Sequence, residues 1–164
     1  MQLKFMREAL RLAKKAKEMG EVPIGAVVVV DGKIIGRGYN LRTKLQMATQ
    51  HAEIRAIDRA CKKLASWRLE KAELYVTLEP CPMCMGAILN SRIERVYFGA
   101  YEQKGRSLTS ELANANLLNH TVEVTGGVME AECAEVLTTF FTEMRARERA
   151  KREAASAHCE NSTK

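Results

Sequence analysis

The chain has 164 residues, 46% of them hydrophobic and 28% charged, and a net charge of +6 at pH 7. These values are those of a single soluble globular domain with an ordinary core. The longest apolar run, residues 24–30, contains Gly25 and stops at Asp31, which is far too short for a membrane-spanning helix.

The first twenty residues form an amphipathic stretch rather than a leader, so no signal peptide is expected. Five cysteines, two of them in a metal-like spacing, argue for a reducing compartment and against a disulfide framework. A cytoplasmic location is expected. The positive charge is uneven. Met1 to Gly20 carries six Lys or Arg against two Glu, and Glu143 to Glu153 carries five against three. Such surfaces suit a polyanion, but equally a pair of solvated helix faces.

In chain order, Leu3, Met6, Ala9, Leu10, Ala13 and Ala16 recur at helical spacing and predict a helix over 2–19, ended by Gly20. Residues 24–30 and 33–39 read as two strands joined by Asp31-Gly32, a pair suited to a type I′ hairpin turn. A polar connection over 41–48 leads to a helix over 49–65, for which Thr49 is a candidate cap. A short strand is predicted over 73–77. Pro82 opens a helix reaching Ser91, and 95–100 reads as a strand. A short helix near 110–118, a strand over 121–124 and a final helix over 131–151 complete the pattern. A single domain would span 1–153, with 154–164 a frayed or disordered tail. This alternation predicts an α/β fold, a three-layer α-β-α sandwich around a mixed sheet of about five strands. Ligands in such folds collect where strands end and helices begin, and the two most distinctive motifs fall there.

Those motifs are His51-Ala52-Glu53 and Glu79-Pro80-Cys81-Pro82-Met83-Cys84. Cys81 and Cys84, three apart on a first helical turn, can aim both sulfurs at one point. The positive end of that helix favours their thiolates. His51 supplies a third ligand if the two helix starts lie side by side. Three protein ligands leave the fourth position of a zinc ion to water, as in catalytic sites. Zinc lowers the pKa of that water to about 7, and Glu53 is free to move its protons. Two other readings compete: a redox Cys-x-x-Cys pair, and a structural zinc completed by Cys61, Cys133, His120 or Cys159. The upstream His-x-Glu speaks against the first. The absence of paired spacing around the four extra candidates speaks against the second.

His-x-Glu with Pro-Cys-x-x-Cys is the signature of zinc-dependent base deaminases. Over nearly its whole length the chain resembles the bacterial tRNA-specific adenosine deaminases. The matching stretches include Glu21 to Val27, Gly36 to Asn40, His51 to Ile54, Trp67-Arg68-Leu69, Leu74 to Cys84, Ser91-Arg92-Ile93 and Asn119-His120. The resemblance implies one Zn2+ per subunit on His51, Cys81 and Cys84, with Glu53 as the proton carrier. It also implies nucleoside contacts from Asn40, Ala52 and Pro80, a tRNA anticodon stem-loop as substrate, and a homodimer. The reaction would convert the wobble adenosine to inosine and ammonia. The chain departs from the family after Ala100, where Tyr101 to Leu108 is a few residues shorter and lacks the usual run of small residues. Glu102 and Lys104 keep the acidic and basic positions of that loop. A deaminase of free guanine, cytosine or cytidine is the alternative, and an RNA-binding protein with structural zinc is a third.

Overall fold

A computed structural model describes residues 2–102 and 109–161. Its elements are α1 (Gln2–Glu18), β1 (Gly25–Val30), β2 (Lys33–Tyr39), α2 (Arg42–Leu45), α3 (Ala52–Leu64), β3 (Glu73–Leu78), α4 (Pro82–Asn90), β4 (Arg95–Ala100), α5 (Thr109–Asn114), β5 (Glu123–Thr125) and α6 (Glu130–Asn161). The five strands form one mixed sheet in the order β2-β1-β3-β4-β5. β1 pairs antiparallel with β2 and β3, while β3, β4 and β5 run parallel. The expected three-layer sandwich is thus the observed one.

The four valines of β1 show why both faces need helices. Val28, with Ala26, packs against Ala52, Ala56 and Ala60 of α3, while Val27 and Val29 meet Phe5 and Leu12 of α1. Alternate side chains leave a strand on opposite sides, so a run of buried valines needs cover on each. α1 and α6 form one layer, and α3, α4 and α5 the other. The Asp31-Gly32 turn has positive φ at both residues, 47° and 69°, as a type I′ hairpin demands.

Glycine matters most where α3 lies on β2. A Cβ on Gly38 would strike the Ala52 carbonyl oxygen and come within 2.6 Å of the Ala56 nitrogen; one on Gly36 would strike the Ala56 carbonyl. Helix and strand backbones touch there, with only alanines on the helix side. Since α3 begins beside His51, this contact also sets where that imidazole stands. Gly38→Ala is expected to cost about 2–3 kcal/mol of stability, the range for forced overpacking, and to weaken metal binding along with it. Chemical denaturation and metal titration of the variant check this; parental values for both would refute the argument.

Several boundaries differ from the sequence expectation. α3 starts at Ala52 with His51 as its cap residue, rather than at Thr49. The polar connection holds a short helix, α2. The fifth strand lies two residues later than predicted, at 123–125. The final helix does not end at 151 but continues to Asn161, through the segment expected to fray. Trp67 is 56% exposed, with the guanidinium of Arg68 4.9 Å from its ring centre.

One ion-pair cluster ties α1 to β2. Glu8 bonds Arg11 at 2.8 Å and Arg37 at 2.8 Å. The hydrogen bond from Arg11, joined by that from Arg37, holds the Glu8 carboxyl down at about 2, against its ordinary 4.5. A carboxyl depressed in the folded state stabilises above its unfolded pKa, and the contribution fades as pH falls through the folded value. Glu8→Gln is therefore expected to flatten the acid limb of the stability curve between about pH 4.5 and pH 2. Because the pair is solvent-facing, the change at neutral pH should stay within about 1 kcal/mol. Urea melts across that pH range test it, and identical acid limbs would count against it.

Candidate metal and catalytic centre

β3 ends at Leu78, and the chain turns through Glu79 and Pro80 into α4. Cys81 is the cap residue of α4 and Pro82 its first helical residue. His51 holds the corresponding place on α3. The two cap residues share nearly the same extended backbone, φ −75° and ψ 157° for His51 and φ −73° and ψ 166° for Cys81. Neither makes a side-chain capping bond, so both helix N-termini present their positive ends to the space between them.

Into that space point one imidazole and two sulfurs. His51 Nδ1 is 3.7 Å from Cys81 Sγ and 3.6 Å from Cys84 Sγ. All three ligand atoms lie within 4.8 Å of one another. An ion held tetrahedrally by nitrogen at about 2.0 Å and sulfur at about 2.3 Å separates those atoms by about 3.5 Å. The group therefore has the spacing of a metal site, and among the described residues it contains no fourth ligand. His120 is occupied elsewhere, its Nε2 2.7 Å from the Ile93 carbonyl oxygen. Cys133 is buried against Gly99, and Cys61 faces the Trp67 carbonyl. The side chain of Cys159 lies outside the described residues.

The thiols titrate as a pair. The hydrogen bond from Cys84, with one from His51, holds the Cys81 thiol down at about 4. That same bond, together with burial and the nearby Glu53, pushes Cys84 far above the ordinary thiol range. His51 is raised, chiefly by its hydrogen bond with Cys81 and also by Glu53. The pair thus ionises unequally, Cys81 ahead of the more buried Cys84.

Glu53, one residue into α3, is 4% exposed. Burial pushes its carboxyl up, and its Oε2 has no hydrogen-bond partner among the described residues. A buried carboxylate oxygen without a partner is costly, and such groups mark sites where a ligand or ion belongs. This orphan atom, beside a donor set of two thiols and an imidazole, fits a bound soft-ligand cation such as zinc.

Asn40 is buried at the end of β2, its Nδ2 donating to Glu21 Oε2 at 3.3 Å. The Ala52 side chain is packed inside the core, leaving only its backbone to face a substrate. Pro80 is buried, and its carbonyl accepts a bond from the Thr109 hydroxyl at 3.0 Å. The Glu102 amide donates to Glu79 Oε2 at 3.0 Å, which ties the start of the altered loop to the cysteine motif. Lys104 lies outside the described residues. Sequence reasoning did not single out Glu21 or Thr109; Glu21 had a signal, a charged residue directly before an apolar strand. A groove of about 620 Å³ lined by Arg95, Asn114 and Glu123 lies at the other end of the parallel strands, away from this chemistry.

The sequence profile of the MafB19-like deaminases matches residues 2–145. A tRNA-specific adenosine deaminase of Bacillus subtilis (strain 168) is 52% identical over 150 residues, covering 90% of this chain and 93% of that protein. The chain belongs to the tRNA-specific adenosine deaminase family. A solved structure from work on A-to-I editing by tRNA:A34 deaminases at the wobble position of transfer RNA superposes on this deaminase with a TM-score of 0.75 at 46% identity, covering 82% of this chain and 99% of that one. The guanine deaminase of Bacillus subtilis is also similar, at 38% identity and a TM-score of 0.58, over 68% of each chain.

Proposed function

We propose that this deaminase hydrolyses the 6-amino group of a wobble adenosine in a tRNA anticodon loop, with His51, Cys81 and Cys84 holding one zinc ion. The observation that carries the chemistry is the buried carboxylate of Glu53, whose Oε2 has no partner among the described residues, beside a three-ligand group. Zinc, when bound, supplies an activated water at neutral pH. Glu53 takes a proton from the attacking water and delivers it to N1 of the adenine, then takes the second proton from the new C6 hydroxyl and hands it to the departing amine. Water adds at C6, the C6–N bond breaks, and inosine and ammonia leave. A carboxyl whose pKa is raised by burial is suited to hold a proton between those steps. Asn40 and the backbone around Ala52 and Pro80 line the nucleoside pocket, and Glu102 and Lys104 border it. The protein works in the cytoplasm as a homodimer. No described helix is long and apolar enough to cross a membrane.

An RNA rather than a free base is supported by α6. From Met144 to Ser156 every residue of this helix is exposed. Arg145, Arg149 and Arg152, spaced four and three apart, share one side of it. The salt bridge from Lys17 to Glu143, 3.0 Å long, anchors the helix at the last turn of α1. That turn leads into Gly25, whose amide bonds Thr77 Oγ1 at the end of β3 just before the cysteine motif. The basic arm therefore leaves the body at the same end of the sheet as the metal group. Replacing Arg145, Arg149 and Arg152 with alanine is expected to weaken tRNA binding and lower the slope of log affinity against log salt by about two, at about 0.7–0.9 per lost phosphate contact. An unchanged slope would make the arm a merely solvated helix.

The deciding experiment offers the purified protein a wobble-adenosine tRNA, free guanine, cytidine and adenosine in parallel, and follows ammonia and inosine. Turnover of tRNA alone is expected. Turnover of guanine without tRNA activity would move the chain to the free-base reading that its resemblance to guanine deaminase raises.

A further inference from the structure

Glu21 is a carboxylate for which the proposed chemistry has no use, and it is 1% exposed. Its place is set by the end of α1. Gly20, at φ +77°, donates to the Lys17 carbonyl, and the Glu21 amide reaches back to the Ala16 carbonyl at 3.0 Å. This pair of bonds is the standard left-handed helix stop, and it turns the chain inward immediately after Gly20. The buried carboxylate then divides its oxygens between two partners. Oε2 accepts from the side-chain amide of Asn40, and Oε1 accepts from the backbone N–H of Lys44 in α2.

Both partners belong to the segment that leads from β2 into His51. Asn40 is itself fixed at its backbone, its N–H bonding the Ile24 carbonyl at 3.0 Å, while the Leu41 amide reaches the Gln50 carbonyl at 3.1 Å. What remained free in Asn40 was the rotation of its amide, which has donors at one end and an acceptor at the other. Both oxygens of Glu21 already serve as acceptors, Oε1 to Lys44 N–H and Oε2 to Asn40, so Glu21 selects the orientation with Nδ2 towards itself. The Oδ1 acceptor and the second N–H are thereby left for the pocket.

We infer that Glu21 is a positioning residue for substrate. It locks the side-chain amide of Asn40 in one orientation and pins residues 41–50, so that the nucleoside meets a preset hydrogen-bonding edge. This rests on reading Asn40 as a nucleoside contact. Glutamine at position 21 cannot reproduce the arrangement. Its one oxygen can serve Asn40 or Lys44, while its amino end would confront a donor.

The test is steady-state kinetics of the full-length, metal-loaded protein on a wobble-adenosine tRNA, with Glu21→Gln, Asn40→Ala and the double variant. The expected result is a KM raised about tenfold in Glu21→Gln, one hydrogen bond's worth, with kcat within about twofold. Metal content should match the parent, and the double variant should be no worse than Asn40→Ala. A parental KM in Glu21→Gln beside a raised KM in Asn40→Ala overturns the inference alone. A parental KM in Asn40→Ala removes the substrate reading of Asn40, and this inference with it. Losses that multiply in the double variant would show two independent residues and also overturn it. Should Glu21→Gln not fold, hydrogen exchange of the parent decides: the Asn40 side-chain N–H donated to Glu21 is expected to exchange slowly, and exchange at the rate of a solvated amide refutes the lock.

Discussion

Replacing Glu53 with alanine is expected to lower turnover of tRNA by about 10²- to 10⁴-fold while leaving the metal in place, because the side chain moves protons and holds no ligand position. A second, less usual outcome should accompany it. Glu53 is buried, its carboxyl is pushed up by desolvation, and one of its oxygens lacks a partner among the described residues. Removing such a group relieves the folded state rather than injuring it, so the Glu53→Gln protein should melt no lower than its parent. Activity and stability would then move in opposite directions at one residue. Measured together, kcat, bound metal and melting temperature separate this from structural damage, which lowers all three. Near-parental turnover in Glu53→Ala would end the case for this residue as the proton carrier.

Metal affinity is expected to climb with pH across the neutral range, about tenfold per unit for each proton expelled. The reason lies in the thiol pair. With Cys81 held down and Cys84 pushed up, the metal-free pocket keeps a proton on the buried sulfur, and a cation needing both sulfurs ionised must displace it. Competition with a chromogenic chelator between pH 6 and pH 8, with proton release followed in weak buffer, gives both numbers. Cys84→Ala should lose the metal and the pH dependence together. Stripping the parent should abolish turnover and lower its melting temperature, since an ion bound only by the folded state stabilises by mass action. Affinity flat with pH, or a Cys84→Ala protein that binds metal normally, would contradict the assignment of Cys84.

Much of this was legible in the sequence, and the failures are physical. β1 was visible because a buried strand in a doubly covered sheet reads as a continuous apolar run, and the hairpin because Asp-Gly tolerates the positive φ its turn requires. The start of α3 was misplaced because the usual signal is a Ser, Thr, Asp or Asn cap. Here His51 occupies that position with its ring committed to the metal group instead of to the helix, as Cys81 does on α4. Local rules fail at a site when chemistry has taken over the side chain. The metal group itself was readable from spacing alone. The bond between Asn40 and Glu21 was not, since they stand nineteen positions apart and it depends on how the end of α1 folds back. The reach of α6 to Asn161 was missed for another reason: a helix exposed on every side has no apolar stripe to betray it.

The close seating of α3 on Gly36 and Gly38 bears on which mutations this protein can survive. In the triplet His51-Ala52-Glu53 the middle side chain takes no chemical part, yet it sits where strand and helix backbones meet. Any bulkier side chain at 52, 56 or 60 would prise the helix away and carry the imidazole and the proton carrier with it. Tolerance at those three alanines should therefore be as narrow as at the ligands themselves. Random libraries would report them as essential, although none ever meets an RNA through its side chain.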